Sequence, residues 1–182
     1  MILDSRLAAL RSNFTLAHCK AVHFCSLTPK QSEDVRCWRN HPETSKYMYS
    51  QEPIPIQAHQ NFIKGLQHST TRSYWAVFDD KCGIGIMSLV RINFVHAFAF
   101  LGLYLNPECF GTGSGTKILE LLEFVSFEKL KLHSLRLEVF EHNKRAIAFY
   151  ERNGFIHEGC LHDYAWVNNA FHNILIMGKI HA

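Results

Sequence analysis

The sequence predicts a single α/β domain built on a mixed sheet, with the element order β-α-α-β-β-β-α-β-α-β-β. Two observations lead there. Strand-like apolar runs bounded by turn residues recur from residue 73 onward and again at the chain end, most of them separated only by hairpin turns. Between Leu101–Leu105 and Leu135–Phe140, however, lies a helical pattern, which is the mark of a crossover between strands.

Taken in order, residues 1–20 are expected as a lead-in, weakly specified at least to Leu16, and the domain proper as 21–182. Ala21 to Leu27 alternates as a strand does. Thr28-Pro29-Lys30-Gln31 is a capping box, with Thr28 as N-cap, Pro29 in the first helical position and Gln31 reaching back. That helix should stop near Arg39, because His41 precedes Pro42 and is pushed out of the α region. Pro53 and Pro55 mark a loop after Met48-Tyr49-Ser50. An amphipathic helix follows, with Ile56, His59 or Gln60, Ile63 and Leu66 along one side. Ser73–Phe78, Ile84–Phe94 and Phe98–Leu105 are strands, turning at Asp79–Gly83 and near His96-Ala97. Then come a helix (Thr116–Leu130), a strand (Leu135–Phe140), a helix (Asn143–Asn153) and a strand (Phe155–Val167). An Asn168-Asn169-Ala170 turn leads into the last strand, Phe171–Ile180.

Composition bounds the function. In 182 residues, 47% are hydrophobic and 19% charged, which is globular, and the length suffices to bury roughly two thirds of the unfolded surface. The net charge is +3 with no dense Lys/Arg run, which argues against nucleic-acid binding and still suits an anionic small molecule. An early Asp4 and no continuous apolar core argue against a signal peptide, and the run from Phe94 to Leu105 is too short to span a bilayer. A soluble cytoplasmic protein is the expectation, with its six scattered cysteines reduced and mostly buried. Twelve histidines include no zinc spacing, so no metal is expected. Strand edges and apolar residues near the C-terminus permit a homodimer.

The densest signal is Gly111-Thr112-Gly113-Ser114-Gly115, between a strand ending Asn106-Pro107 and a helix. Glycines there leave backbone N–H groups bare at the positive end of a helix dipole, which is a cradle for a pyrophosphate. The dinucleotide fingerprint fails, since Thr116 stands where its third glycine belongs, and no Gly-Lys-Ser/Thr closes a phosphate loop. On the loop alone, a ligand-free flexible connection is the competing reading.

With Glu138-Val139-Phe140-Glu141-His142-Asn143 and Ala146-Ile147-Ala148-Phe149-Tyr150-Glu151-Arg152-Asn153-Gly154-Phe155 added, the chain resembles the GCN5-related N-acetyltransferases from about Ala21 to Ile180. The resemblance implies that fold, with a splayed central sheet, and acetyl-CoA as acetyl donor. It implies pantetheine contacts at Leu103, Tyr104 and Leu105, and pyrophosphate contacts around Phe110, Gly111, Thr112, Gly113, Ser114, Gly115 and Thr116. Asn143, Ala148, Phe149 and Arg152 complete the implied cofactor site. Phe110 departs from the pattern, standing where a basic or polar residue is usual, so one phosphate contact is expected to be missing. Tyr150 matches the general acid that protonates the departing thiolate; read without the motif, it is a packing aromatic. Asn143 reads equally as a helix N-cap. Glu138, an acid in an apolar run, is either a base or an outward-facing strand residue. No cysteine is positioned for a covalent intermediate, which favours direct attack by the amine.

A closer likeness concerns the acceptor. Trp38-Arg39-Asn40-His41-Pro42, Met48-Tyr49-Ser50, His59, Arg91-Ile92-Asn93 and Leu101-Gly102-Leu103-Tyr104 look like the N-acetyltransferases of pseudaminic acid biosynthesis. These act on the 4-amino group of UDP-4-amino-4,6-dideoxy-N-acetyl-β-L-altrosamine, on the way to the sugar that decorates flagellin. On that likeness Arg39, His59 and Arg91 meet the diphosphate, Met48, Tyr49 and Tyr104 wall the 6-methyl group, and Ser88 lies near the amine. Guanidinium groups suit a diphosphate through bidentate bonds. Val90, beside Arg91, supplies no hydrogen bond. The rival readings are a protein N-terminal or ribosomal-protein acetyltransferase and a non-catalytic CoA-binding module.

Overall fold

The computed structural model describes residues 2–181, with side chains from residue 5 onward. One mixed sheet of eight strands carries the molecule, in the order β1-β2-β3-β4-β5-β6-β8-β7. These are β1 (Phe14–Leu16), β2 (Cys19–His23), β3 (Ser73–Phe78), β4 (Gly83–Asn93), β5 (Phe98–Leu105), β6 (Ser134–Phe140), β7 (Ile156–Val167) and β8 (Ala170–Ile180). The helices are α1 (Ile2–Ala9), α2 (Pro29–Asn40), α3 (Pro42–Ser45), α4 (Ile56–Leu66), α5 (Ser114–Glu123) and α6 (Lys144–Arg152).

The two-residue period of β3 sorts its side chains between two cores. Trp75 and Val77 face the larger one with Met87, Leu89 and the buried stripe of α5. Ala76 faces the smaller one, with Phe24, Val35 and Leu66. Thr28 caps α2 in the expected box, its Oγ1 accepting from Gln31 N at 3.3 Å while Gln31 Oε1 accepts from Thr28 N at 3.0 Å.

Several expectations are corrected. The first strand ends at His23, because the His23 Nδ1 accepts from the Cys25 amide and turns residues 24–26 into a 3-10 turn. The lead-in contains α1 and β1, and Leu10 is fully buried. The helix after the glycine loop begins at Ser114 and, from Phe124 to Lys129, winds as a π-helix. Within that stretch Ser126 Oγ donates to the Leu122 carbonyl at 2.8 Å, competing with the α ladder. Two of the six free thiols are buried, two half-buried and two exposed, so most are not interior.

The feature that positions a site is the β5–β6 pair, the only parallel pairing among the described residues. It is registered for three residues, Phe98–Phe100 against Ser134–Arg136. Beyond it, β5 stays paired with β4 as far as Leu105, and β6 with β8 as far as Phe140. The two strands therefore diverge, and the backbone of Leu101–Leu105 that faces β6 has no ladder partner there.

Candidate active site

A cleft of about 670 Å³ fills this wedge and extends to the glycine loop on one side and to residues 39–49 on the other. Gly111 and Gly113 adopt φ of +78° and +82°, and a Cβ at either would meet nothing within 4 Å, so the loop is open toward the cleft. Gly113 is also the N-cap of α5. The Thr112 amide donates to the Cys109 carbonyl (3.4 Å) and the Thr116 amide to the Gly113 carbonyl (3.1 Å). That leaves the amides of Gly111, Gly113, Ser114 and Gly115, at the positive end of α5, without a backbone acceptor among the described residues. The hydroxyls of Thr112 and Ser114 bond each other at 2.8 Å and brace the loop from behind, away from the cleft lining.

Phe110 lines the cleft, and the Arg145 guanidinium lies over its ring, 5.5 Å from the centroid. The missing basic residue of the loop thus has a neighbour from α6 in its place. Sequence reading passed over Arg145, although Lys144 and Arg145 at the positive end of a helix are an electrostatic anomaly that pointed to an anion. Asn143 caps α6, its Oδ1 accepting from Ala146 N at 3.2 Å, so the cap reading holds, and the residue also lines the cleft. Phe149 and Arg152 face the cleft; Ala148 does not.

Tyr150 is 8% exposed and reaches the cleft between Phe149 and Phe155. Burial raises its phenol pKa well above the ordinary value, so it is a full proton donor at neutral pH. Ser88 is buried and lines the cleft, its Oγ donating to the Gly102 carbonyl at 3.3 Å. Glu138 is no outward-facing strand residue: its side chain is 12% exposed, and it accepts from Tyr49 Oη at 2.8 Å and from Arg91 Nη1 at 2.6 Å.

At the other end stand Arg39, Met48, Tyr49 and Tyr104. Arg39 Nη2 donates to the Ser50 carbonyl at 2.5 Å, while its Nη1 and the neighbouring Thr44 Oγ1 are buried with no hydrogen-bond partner among the described residues. Burial lowers the Arg39 pKa and raises that of Tyr104. Two expectations fail here. His59 is buried between α4 and α2, its Nε2 bonded to the Ser32 carbonyl at 3.0 Å, because the α4 stripe turns it inward. Arg91 is bound to Glu138 and does not line the cleft.

Residues 23–156 match the family model described as Acetyltransferase (GNAT) domain. The chain belongs to the GNAT acetyltransferases. It is an N-acetyltransferase, and its acetyl donor is acetyl-CoA. Acetyltransferase PseH of Campylobacter jejuni subsp. jejuni serotype O:23/36 is 32% identical over 136 residues, which are 75% of this chain and 83% of that relative. Spermidine N(1)-acetyltransferase of Escherichia coli K12 is 28% identical over 162 residues, 86% of each chain. The crystal structure of spermidine N-acetyltransferase from Vibrio cholerae with CoA and spermine superposes with a TM-score of 0.81 at 22% identity, over 91% of this chain and 96% of that one. This GNAT member holds no grouping of three or more metal-ligating side chains among its described residues, and none of its described helices is long and apolar enough to cross a membrane.

Proposed function

We propose that this GNAT enzyme acetylates the 4-amino group of a UDP-linked 4-amino-4,6-dideoxy sugar, UDP-4-amino-4,6-dideoxy-N-acetyl-β-L-altrosamine, in the cytoplasm, as a step toward pseudaminic acid and glycosylated flagellin. The observation that carries this reading is the acceptor end of the cleft, where half-buried Arg39 offers a buried, unpaired Nη1 donor beside an apolar wall of Met48, Tyr49 and Tyr104. An unpaired buried donor is costly and calls for an acceptor from the ligand. A nucleotide sugar brings both the diphosphate oxygens and the methyl group that such a pocket suits. Likeness to PseH supports the same choice.

Charge weighs against a polyamine. The cleft is lined by Arg39, Lys46, Arg145 and Arg152 against two carboxylates, Glu43 and Glu138. Both carboxylates are already paired, Glu43 with Lys46 at 2.7 Å and Glu138 with Arg91 at 2.6 Å. A polycation has little to bind there.

In the mechanism, the free amides of the glycine loop and Arg145 hold the pyrophosphate of acetyl-CoA, and the unpaired edge of Leu103–Leu105 holds its pantetheine amides. The neutral acceptor amine attacks the thioester carbon directly, the carbon–sulfur bond breaks, and the proton that the nitrogen loses passes to Glu138 or Ser88 by way of water. Tyr150 gives its proton to the departing thiolate; since a thiol has a pKa near 8.5, this acid assists a leaving group that is already fair. A homodimer would use the β7 edge, where Tyr164 and Trp166 are exposed, with exposed Phe171 of β8 beside Trp166.

Thiol release from acetyl-CoA tests the reading. We expect it with the UDP-amino sugar and not with spermidine or a peptide bearing a free N-terminus; release with spermidine alone overturns the acceptor. Tyr150→Phe should lower kcat on the order of 10²-fold while CoA still binds, and full turnover in that variant removes Tyr150 from the chemistry.

A further inference from the structure

Arg91 stands where the sequence resemblance puts a diphosphate-binding cation, and its geometry assigns it other work. It lies at φ 50°, in the left-handed region, where β4 slips register against β5 between Val90 and Asn93. The next amide, Ile92 N, has left the ladder for the Thr71 carbonyl at 3.0 Å. A non-glycine residue at positive φ persists only where surrounding contacts impose it. From that bulge the guanidinium crosses the Phe100 ring of β5, 4.5 Å from its centroid, and reaches Glu138 on β6.

The carboxylate is thereby held from both sides. One oxygen takes Arg91 and the other takes Tyr49 Oη. Tyr49 belongs to the segment between α3 and α4, which α2 holds at residues 50 and 54 through Arg39, Arg36 and Asn40. The Tyr49 ring packs on Phe140 and Tyr164, and Gln51 Oε1 accepts from Asn168 Nδ2 at 3.0 Å. The bond to Glu138 raises the Arg91 pKa, so the cation stays charged through any working pH.

We infer that Arg91 is a positioning residue: it fixes the Glu138 carboxylate in the orientation that meets the acceptor's amine, and through Glu138 it latches Tyr49 over the acceptor pocket. The amine contact rests on the function proposed above; the latch does not. A carboxylate offers about four lone-pair sites, so Arg91 and Tyr49 leave room for N–H donors from a substrate.

The experiment pairs kinetics with proteolysis in the full chain, with melting temperatures to establish folding. Arg91→Ala should lower kcat about tenfold or more with the UDP-amino sugar and by the same factor with the amino sugar lacking UDP, the KM for acetyl-CoA remaining unchanged. Arg91→Lys, which keeps the charge, should recover most of the loss. Trypsin cleavage after Lys46, in the latched segment, should quicken about tenfold in Arg91→Ala and stay near wild type in Arg91→Lys. A loss confined to the KM of the UDP-linked acceptor overturns the proposal and makes Arg91 a phosphate contact. Cleavage at the wild-type rate in folded Arg91→Ala overturns the latch. If the wild type acetylates neither sugar, the proposed function fails, and the cleavage rate still decides whether Arg91 holds the segment.

Discussion

Arg145 and Phe110 exchange parts that a single loop residue usually plays. The cation comes from the first turn of α6 and is laid against the aromatic ring of the loop. Placing Lys144 and Arg145 at the positive end of a helix costs a few tenths of a kcal/mol, which a bound anion reverses. Arg145→Ala should therefore weaken CoA about tenfold, the equivalent of one charge-assisted hydrogen bond, as read by calorimetry. An unchanged Kd means that Arg145 touches no phosphate. His23 makes a different prediction. It is 1% exposed, and burial, assisted by Arg11, lowers its pKa from 6.5 to about 4. Its Nδ1 accepts from the Cys25 amide, which needs the neutral ring. Below pH 6.5 the unfolded chain takes up a proton that the folded chain refuses, so this contribution is whole above pH 6.5 and is lost as pH falls toward 4. Urea unfolding should show a loss of about 2 kcal/mol between pH 7 and pH 5, at about 1.4 kcal/mol per unit, and a flatter profile in His23→Asn. Equal slopes in both proteins would assign the acid sensitivity elsewhere.

At the scale of elements, the N-terminal lead-in is structural. Trp75 Nε1 donates to the Ser12 carbonyl at 2.8 Å, Ser73 Oγ to the Leu10 carbonyl, and His23 N to Asn13 Oδ1 at 2.8 Å. Deleting residues 1–13 strands these three donors in or beside the core, and an unmet buried donor costs about 1–3 kcal/mol. We expect a loss of at least about 3 kcal/mol and a lower Tm; a wild-type Tm would make the segment dispensable. Some elements were legible because their signal is local. The Thr28 box and the Asn143 cap declare themselves within four residues. The role of residues 1–16 was not legible, because what orders them is a partner sixty residues away, on β3. The π-helix at Phe124–Lys129 was missed for a related reason, since its residues have ordinary helical periodicity.

For the molecule as a whole, what matters is that β5 and β6 begin as partners and then part. Alternation in Leu101–Leu105 and Leu135–Phe140 announces two strands and does not state how far they pair, since pairing length depends on the strands outside them. Burial likewise had to be seen to decide among the candidate site residues. His59 has the same chemistry in a core as in a pocket, and Arg91 the same charge beside a carboxylate as beside a phosphate. By itself the sequence determined the element order from β2 to β8 save for α3, the Thr28 and Asn143 caps, the glycine-rich loop at a helix start and the place of Tyr150 on α6, since each is written in residues adjacent in the chain. Only the tertiary structure decided which side chains share the cleft, that Arg145 stands beside Phe110, and that Glu138 is held between Arg91 and Tyr49. Those relations join residues up to 89 positions apart, and they exist only once the sheet has brought its strands together.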